Sequence, residues 1–249
     1  MHIETINELF RLEGFDAPPN PLFGMEKYED YYATVRGNDI TYGFYSISFT
    51  RLKSKQSYFG RTKYDGTMGF MHFSKPGQCV PIHEMISIAD GFSIYFHEKL
   101  LAGHPLSLAI RNYGIFEYSK NEALHLTQHE YDIVWDMFQK GYREYNGTHD
   151  QFSKTIVLVT VASLLKFTRK MTVRQLKDRQ VLLHHKDEAM KEFLDSYIAA
   201  HRGASVVVPP VEDIASELGM TTAYLNDAMW VQYKKGIKEV IQQFMAKRR

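Results

Sequence analysis

The sequence predicts an α+β protein: a strand-rich first half, a helical second half, and a small all-α helix-turn-helix unit at the C-terminal end. Three observations carry this. Short aromatic and β-branched runs separated by Gly, Pro and Asp fill the first 120 or so of 249 residues. From Thr127 the apolar period lengthens from two to between three and four residues. After residue 210 two short apolar faces flank a single glycine.

In the first half, Thr41–Phe49 reads as a strand with Tyr45, Ile47 and Phe49 on one side. Gly66–Phe73 is a second, ended by the turn Ser74-Lys75-Pro76-Gly77. Ile82–Ile88 and Gly91–Phe96 read as two more, with Ala89-Asp90-Gly91 as the turn between them. Short strands without long intervening helices predict a sandwich or barrel over about residues 1–120. Thr127 and Glu130 form a capping box, in which hydroxyl and carboxylate satisfy the free N–H groups of a helix start. The helix carries Tyr131, Val134, Trp135, Phe138, Tyr142 and Tyr145 and stops at Asn146-Gly147. A second helix, about Gln151–Met171, is apolar almost all round, and a third spans Glu188–Ala200. His201–Ser205 reads as a linker, so the expected domains are 1–202 (barrel about 1–120, helices about 127–200) and 203–249.

Lys and Arg total 30 against 29 Asp and Glu, a net charge of +1, which excludes coating of nucleic acid by bulk charge. One cysteine, Cys79, excludes an internal disulfide framework and a cysteine-rich zinc site. The N-terminal residues lack a signal-peptide pattern, and the longest apolar run, Ile156–Leu165, is too short to span a bilayer. The expectation is a soluble cytoplasmic protein without a membrane partner.

The segment after the linker is the most informative. Val211, Ile214, Ala215 and Leu218 share one helix face, Gly219 supplies a tight turn, and Thr221 or Thr222 caps a helix bearing Tyr224, Leu225, Ala228 and Met229. In such a unit the second helix enters the major groove, which assigns Thr222, Ala223, Asn226 and Asp227 to base edges. An ordinary helical hairpin in a core has the same apolar pattern. The front of the unit is acidic (Glu212, Asp213, Glu217, Asp227), whereas Lys234, Lys235 and Lys238 follow as phosphate contacts.

VEDIASELGMTTAYLNDAM (Val211–Met229) resembles the first helix-turn-helix of the AraC/XylS family of transcriptional regulators. The resemblance extends upstream through GFYSISF (Gly43–Phe49), KPGQ (Lys75–Gln78), GFSIYFHEKLL (Gly91–Leu101), HPL (His104–Leu106), NEALHLT (Asn121–Thr127) and the stretch His149–Arg179. It implies a cupin-like β-barrel sensor, packed helices that dimerise, and two DNA-binding units joined by a long helix. The chain reaches Arg249 inside the stretch corresponding to that helix, so only the first unit is expected here. Ala223 and Asp227 stand where the family often has larger or basic residues, and Lys234 stands where it usually has glycine.

Other chemistries find little footing. His72, His83, His97 and His104 are scattered singly without a His-x-His pair, so no metal is expected. Cys79 and His83 lack an orienting acid, and no Gly-x-Ser-x-Gly, P-loop or dinucleotide fingerprint occurs. Neither catalytic residues nor a cofactor is expected, and the protein is not read as an enzyme. Tyr45, Ile47, Phe49, Phe70 and His72 are the candidate ligand-binding residues, an apolar lining with two polar groups; equally they fill a core or form an outer face. The stripe Tyr131, Val134, Phe138, Tyr142 fits internal core better than a subunit seam. The expected function is a ligand-responsive, homodimeric, DNA-binding regulator acting on double-stranded DNA and an unidentified small-molecule effector. The alternative is a dimeric sensor or interaction protein that no longer binds DNA by itself.

Overall fold

A computed structural model describes residues 1–32, 39–53, 56–59, 62–65, 68–80, 87–148, 150–201 and 208–247. The chain is mixed α+β and divides into two compact units, Met1–Met171 and Thr172–Arg249.

The first unit is built on a five-stranded antiparallel sheet in the order β10 (Leu124–His125), β7 (Phe70–Ser74), β4 (Tyr45–Leu52), β9 (Ser87–Phe96), β2 (Phe23–Tyr32). A three-stranded sheet joins β1 (His2–Ile3), β3 (Ile40–Tyr42) and β8 (Cys79–Val80), and β5 (Gln56–Phe59) pairs with β6 (Thr62–Asp65). Among the described residues these sheets do not close into a barrel.

The period-2 pattern of β4 decides what each sheet face does. Tyr45, Ile47 and Phe49 share one face with Phe92, Ile94 and Phe96 of β9, through the register Tyr45↔Phe96, Ile47↔Ile94 and Phe49↔Phe92. Against that face lies α3 (Gln128–Tyr145). Its Phe138 stacks on Phe92 with ring centroids 5.6 Å apart, and Trp135 meets Phe92 edge-on at 5.1 Å. The stripe from Tyr131 to Tyr142 is thus intramolecular core. The capping box forms as the sequence specifies: the Thr127 N–H donates to Glu130 Oε2 at 2.9 Å, and the Glu130 N–H to Thr127 Oγ1 at 3.3 Å.

Four elements differ from their expected extents. The run Thr41–Phe49 is two strands, because the chain passes between sheets at Gly43. A Cβ there would stand 2.6 Å from the Glu4 carbonyl oxygen, and the Gly43 N–H donates to Ile3 O. Ala89-Asp90-Gly91 is no turn; β9 runs straight through it. Asp90 pairs across the ladder with Arg51, and a Cβ on Gly91 would lie 2.3 Å from Phe49 O, beside a bulge at Arg51/Leu52. Asp and Gly here serve strand pairing rather than chain reversal. The second helix, α4, runs over Ser153–Asp178, and the third, α5, over Gln180–Ala200. Both extend through mixed runs (Thr172–Asp178 and Gln180–Asp187) in which buried apolar positions such as Leu176 and Leu183 are too few to set a helical period. Gly66, Thr67 and most of the expected strand Ile82–Ile88 lie outside the described residues, as does most of the linker His201–Ser205.

Several elements had no sequence expectation, among them β2, the helix α1 (Ile6–Glu13) and the one-turn helix α2 (Leu106–Ala109). The helix α1 is capped by Thr5, whose Oγ1 accepts from the Glu8 N–H at 3.2 Å, and it ends at Gly14 in the left-handed region (φ 80°). Its Ile6 and Phe10 pack over Gly24 of β2.

The second unit places α5 with α6 (Val211–Glu217), α7 (Thr222–Tyr233) and α8 (Ile237–Ala246). Met190 and Leu194 of α5 share one apolar cluster with Ile214, Ala215, Leu225, Met229, Ile237 and Ile241. Here α5 packs with the helix-turn-helix, and the two compact units divide between Met171 and Thr172, whereas the sequence reading draws its boundary near residue 202. Among the described residues no helix is long and apolar enough to cross a membrane.

Candidate functional site

The helix-turn-helix forms where the sequence places it. Gly219 adopts φ +63°, Thr221 caps α7 by accepting from the Tyr224 N–H at 3.2 Å, and Leu225, Ala228 and Met229 turn inward. Thr222, Ala223 and Asp227 stay half-buried on the outer side of the first turns of α7. Asn226 is differently employed. Its Oδ1 accepts the Ile237 N–H at 3.2 Å and so caps the start of α8 across eleven residues of chain. Its amide NH₂ and one lone pair of Oδ1 remain for a base edge.

The three lysines cluster at the junction of α7 and α8. Lys234 takes the left-handed conformation that ends α7 (φ 58°), its Nζ 4.9 Å from the centre of the Trp230 ring. Lys235 Nζ donates to Gln243 Oε1 at 2.9 Å and stands 3.7 Å from Glu239. Lys238 is exposed on α8. Trp230, 43% exposed, adds an aromatic edge to this surface that the sequence reading did not single out.

Behind α6 and α7, α5 and its N-cap residue Arg179 supply polar anchors. Arg179 Nη1 donates to the Tyr224 hydroxyl at 2.9 Å, and Lys186 Nζ donates to Leu218 O at 2.6 Å, satisfying a carbonyl at the end of α6. Asp187 is buried and pairs with Lys191 at 2.5 Å. Burial, with Asp187 facing it, pushes the Tyr233 hydroxyl well above its ordinary range. Asp187 gave the sequence no signal, because a charged residue on a helix is normally solvated.

In the first unit the register separates the five candidate ligand residues. Tyr45, Ile47 and Phe49 lie in the apolar core. Ile47 and Phe49 are fully buried, and Tyr45 stacks on Phe96 at 5.2 Å with Phe116 edge-on at 5.1 Å. Phe70 and His72 face the other way, because Thr50↔Phe70 and Ser48↔His72 are the paired positions. They belong to a polar face. Across four strands, Glu26, Ser93, Ser48 and His72 stand side by side in register. Ser48 and Ser93 hydroxyls are 2.7 Å apart, and Ser46 meets Ser74 at 2.7 Å.

At one end of this row Glu26 is 2% exposed. Its Oε2 accepts from Tyr28 at 2.7 Å and from Tyr95 at 3.1 Å. The Tyr28 hydroxyl is also 3.0 Å from Ser93 Oγ. The half-buried Glu13, last residue of α1, hydrogen-bonds the same carboxylate. Burial first, then mutual repulsion and their bond, holds Glu13 well above the ordinary carboxylate range. Burial also raises Glu26, opposed by the tyrosine bonds. The tyrosine hydroxyls are pushed up by burial and by these carboxyls. The period-2 Ser46, Ser48, Thr50 opposite Tyr45, Ile47, Phe49 was the available sequence signal for a polar face.

The scattered histidines have local work. His97 Nδ1 accepts from the Lys99 N–H at 3.0 Å, and His104 Nδ1 from the Leu106 N–H at 3.1 Å. His184 and His185 both face Glu188. Cys79 is exposed, and His83 lies outside the described residues. Among the described residues no group of three or more His, Cys, Asp or Glu is placed to hold a metal. No protein-family model, curated protein or solved structure matches this chain.

Proposed function

We propose that the protein is a ligand-responsive transcriptional regulator of the AraC/XylS type, with Met1–Met171 as a cupin-like sensor and α7 as a reader of duplex DNA. The observation that carries the reading is the α6–Gly219–α7 unit. Its apolar faces are consumed by packing on α5 and α8, which leaves Thr222, Ala223 and Asp227 outward beside Lys234, Lys235 and Lys238. A helix held from behind with its first turns partly exposed and cations at its far end suits major-groove reading flanked by phosphate contacts. The proposed role is regulatory rather than enzymatic, in the cytoplasm. The polar sheet face, with Phe70 and His72, is the effector surface in this reading, and the effector acts by differential affinity for two arrangements. Exposed Ile156 and Val159 on α4 are the proposed homodimer contact.

A second reading rests on charge. Glu212, Asp213 and Glu217 on α6 and Asp227 on α7 make the front of the unit acidic, which favours a protein partner over phosphate. Asp227→Arg separates the two. Fluorescence anisotropy with duplex fragments from the upstream region of its own reading frame should show tighter binding by the variant. No binding by either protein, in low salt, would discard the DNA-reading role in favour of the second reading.

A further inference from the structure

We propose that the α1–β2 contact is a proton-operated latch: Glu13 and Glu26 are held together by one shared proton, and its loss loosens α1 from the sheet. Two carboxylates accept hydrogen bonds and donate none, so the contact between Glu13 and Glu26 exists only while one carries a proton. Glu26 Oε1 is buried and has no conventional donor, which leaves the neighbouring acid as the group able to satisfy it. The tyrosine bonds assign the proton. Tyr28 and Tyr95 both donate to Glu26 Oε2 and favour its ionised form, so Glu13 is the acid and Glu26 the carboxylate.

The groups facing the pair are Tyr28 from β2 and Tyr95 and Ser93 from β9, with Tyr42 from β3 acting on Tyr95. Among the described residues, no Lys, Arg or His acts on either carboxyl. Ionising both therefore leaves two like charges in contact and half out of water.

The element that yields is α1. It is eight residues long and rests on β2 through Ile6 and Phe10, which would lie 2.8 Å and 2.7 Å from a Cβ on Gly24. Phe10 also meets Tyr95 edge-on at 6.1 Å. Its two ends are tied elsewhere, by β1 pairing with β3 and by β2 in the main sheet. Loosening α1 thus opens the Ile6–Phe10 contact and uncovers the Glu26 end of the polar row without unfolding the sheet.

The direction of the pH effect follows from proton counts. With α1 docked the pair binds a proton that the undocked, solvated Glu13 releases at its ordinary value. Docking is complete at low pH and weakens as pH rises through the raised values.

Hydrogen exchange on the intact protein tests the latch, after correction for the intrinsic pH dependence of exchange. Between about pH 5.5 and about pH 9, protection of the α1 amides should fall by up to about tenfold per pH unit, while that of β4 and β9 holds. Glu13→Gln supplies a permanent donor and should make α1 protection independent of pH. Glu26→Gln should do the same by donating to Glu13, and it serves should the first variant fail to fold. Wild-type α1 protection that is flat with pH, or a pH-dependent loss that survives both substitutions, overturns the proposal.

Discussion

Lys234 is, among the described residues, the one non-glycine with positive φ. An L-residue there places Cβ against the following carbonyl, at a cost of roughly 1–2 kcal/mol. Its charge over Trp230 gives a reason to keep a lysine where chain geometry favours glycine. Lys234→Gly should therefore stabilise the second unit by about 1 kcal/mol in urea unfolding while lowering affinity for DNA. A stability unchanged or reduced would show that the Trp230 contact outweighs the strain. Asn226 teaches a related lesson. Sequence position marks it as a base-reading residue, and the structure spends one lone pair of its carbonyl on capping α8. Asn226→Ala should cost about 1 kcal/mol of stability, so a loss of DNA binding in that variant counts as a lost base contact only if a folded-state correction leaves a residue of effect.

At the scale of elements, β9 shows how local signals and tertiary pairing diverge. Ala89-Asp90-Gly91 carries the chemistry of a turn, and the ladder with β4 overrides it. Gly91 is required because Phe49 O passes 2.3 Å from where a Cβ would stand. Gly91→Ala should destabilise the first unit by about 2 kcal/mol, read as a shift in the urea midpoint; an unshifted midpoint would mean the ladder relaxes without loss. Phe138→Ala, which empties the contact between α3 and the sheet, should cost about 3–5 kcal/mol on the same scale. The capping box of α3 and the α6–Gly219–α7 unit were legible because each is specified within a few neighbouring residues. The strand β2 was not. FGMEKYEDYY mixes buried Glu26 with charged neighbours, and its burial comes from β9 and α1, which no local window contains. Thr5 and Gly14, the caps of α1, were readable signals that the apolar period of eight residues was too short to reinforce.

For the whole molecule, the α+β class and the order of strands, helices and helix-turn-helix follow from periodicity alone. The division at Met171/Thr172 does not, because α5 joins the C-terminal unit through Met190, Leu194 and two polar anchors, Arg179 and Lys186, whose partners lie dozens of residues away. The candidate ligand set divides for the same reason. Period two tells which residues of β4 are alike, but only the pairing of β4 with β7 tells that Phe70 and His72 stand with Ser48 and Thr50. What results is one sheet with an apolar face under α3 and a polar face whose end is closed by a carboxyl pair. The helical unit carries its cations at one junction. The central claim, that α7 and this junction grip duplex DNA, is tested most directly by the salt dependence of anisotropy-detected binding. Binding should weaken linearly in log–log form as salt rises, and Lys238→Ala should reduce the slope by about 1. Binding that is insensitive to salt, or a slope unchanged by removing Lys238, would contradict it.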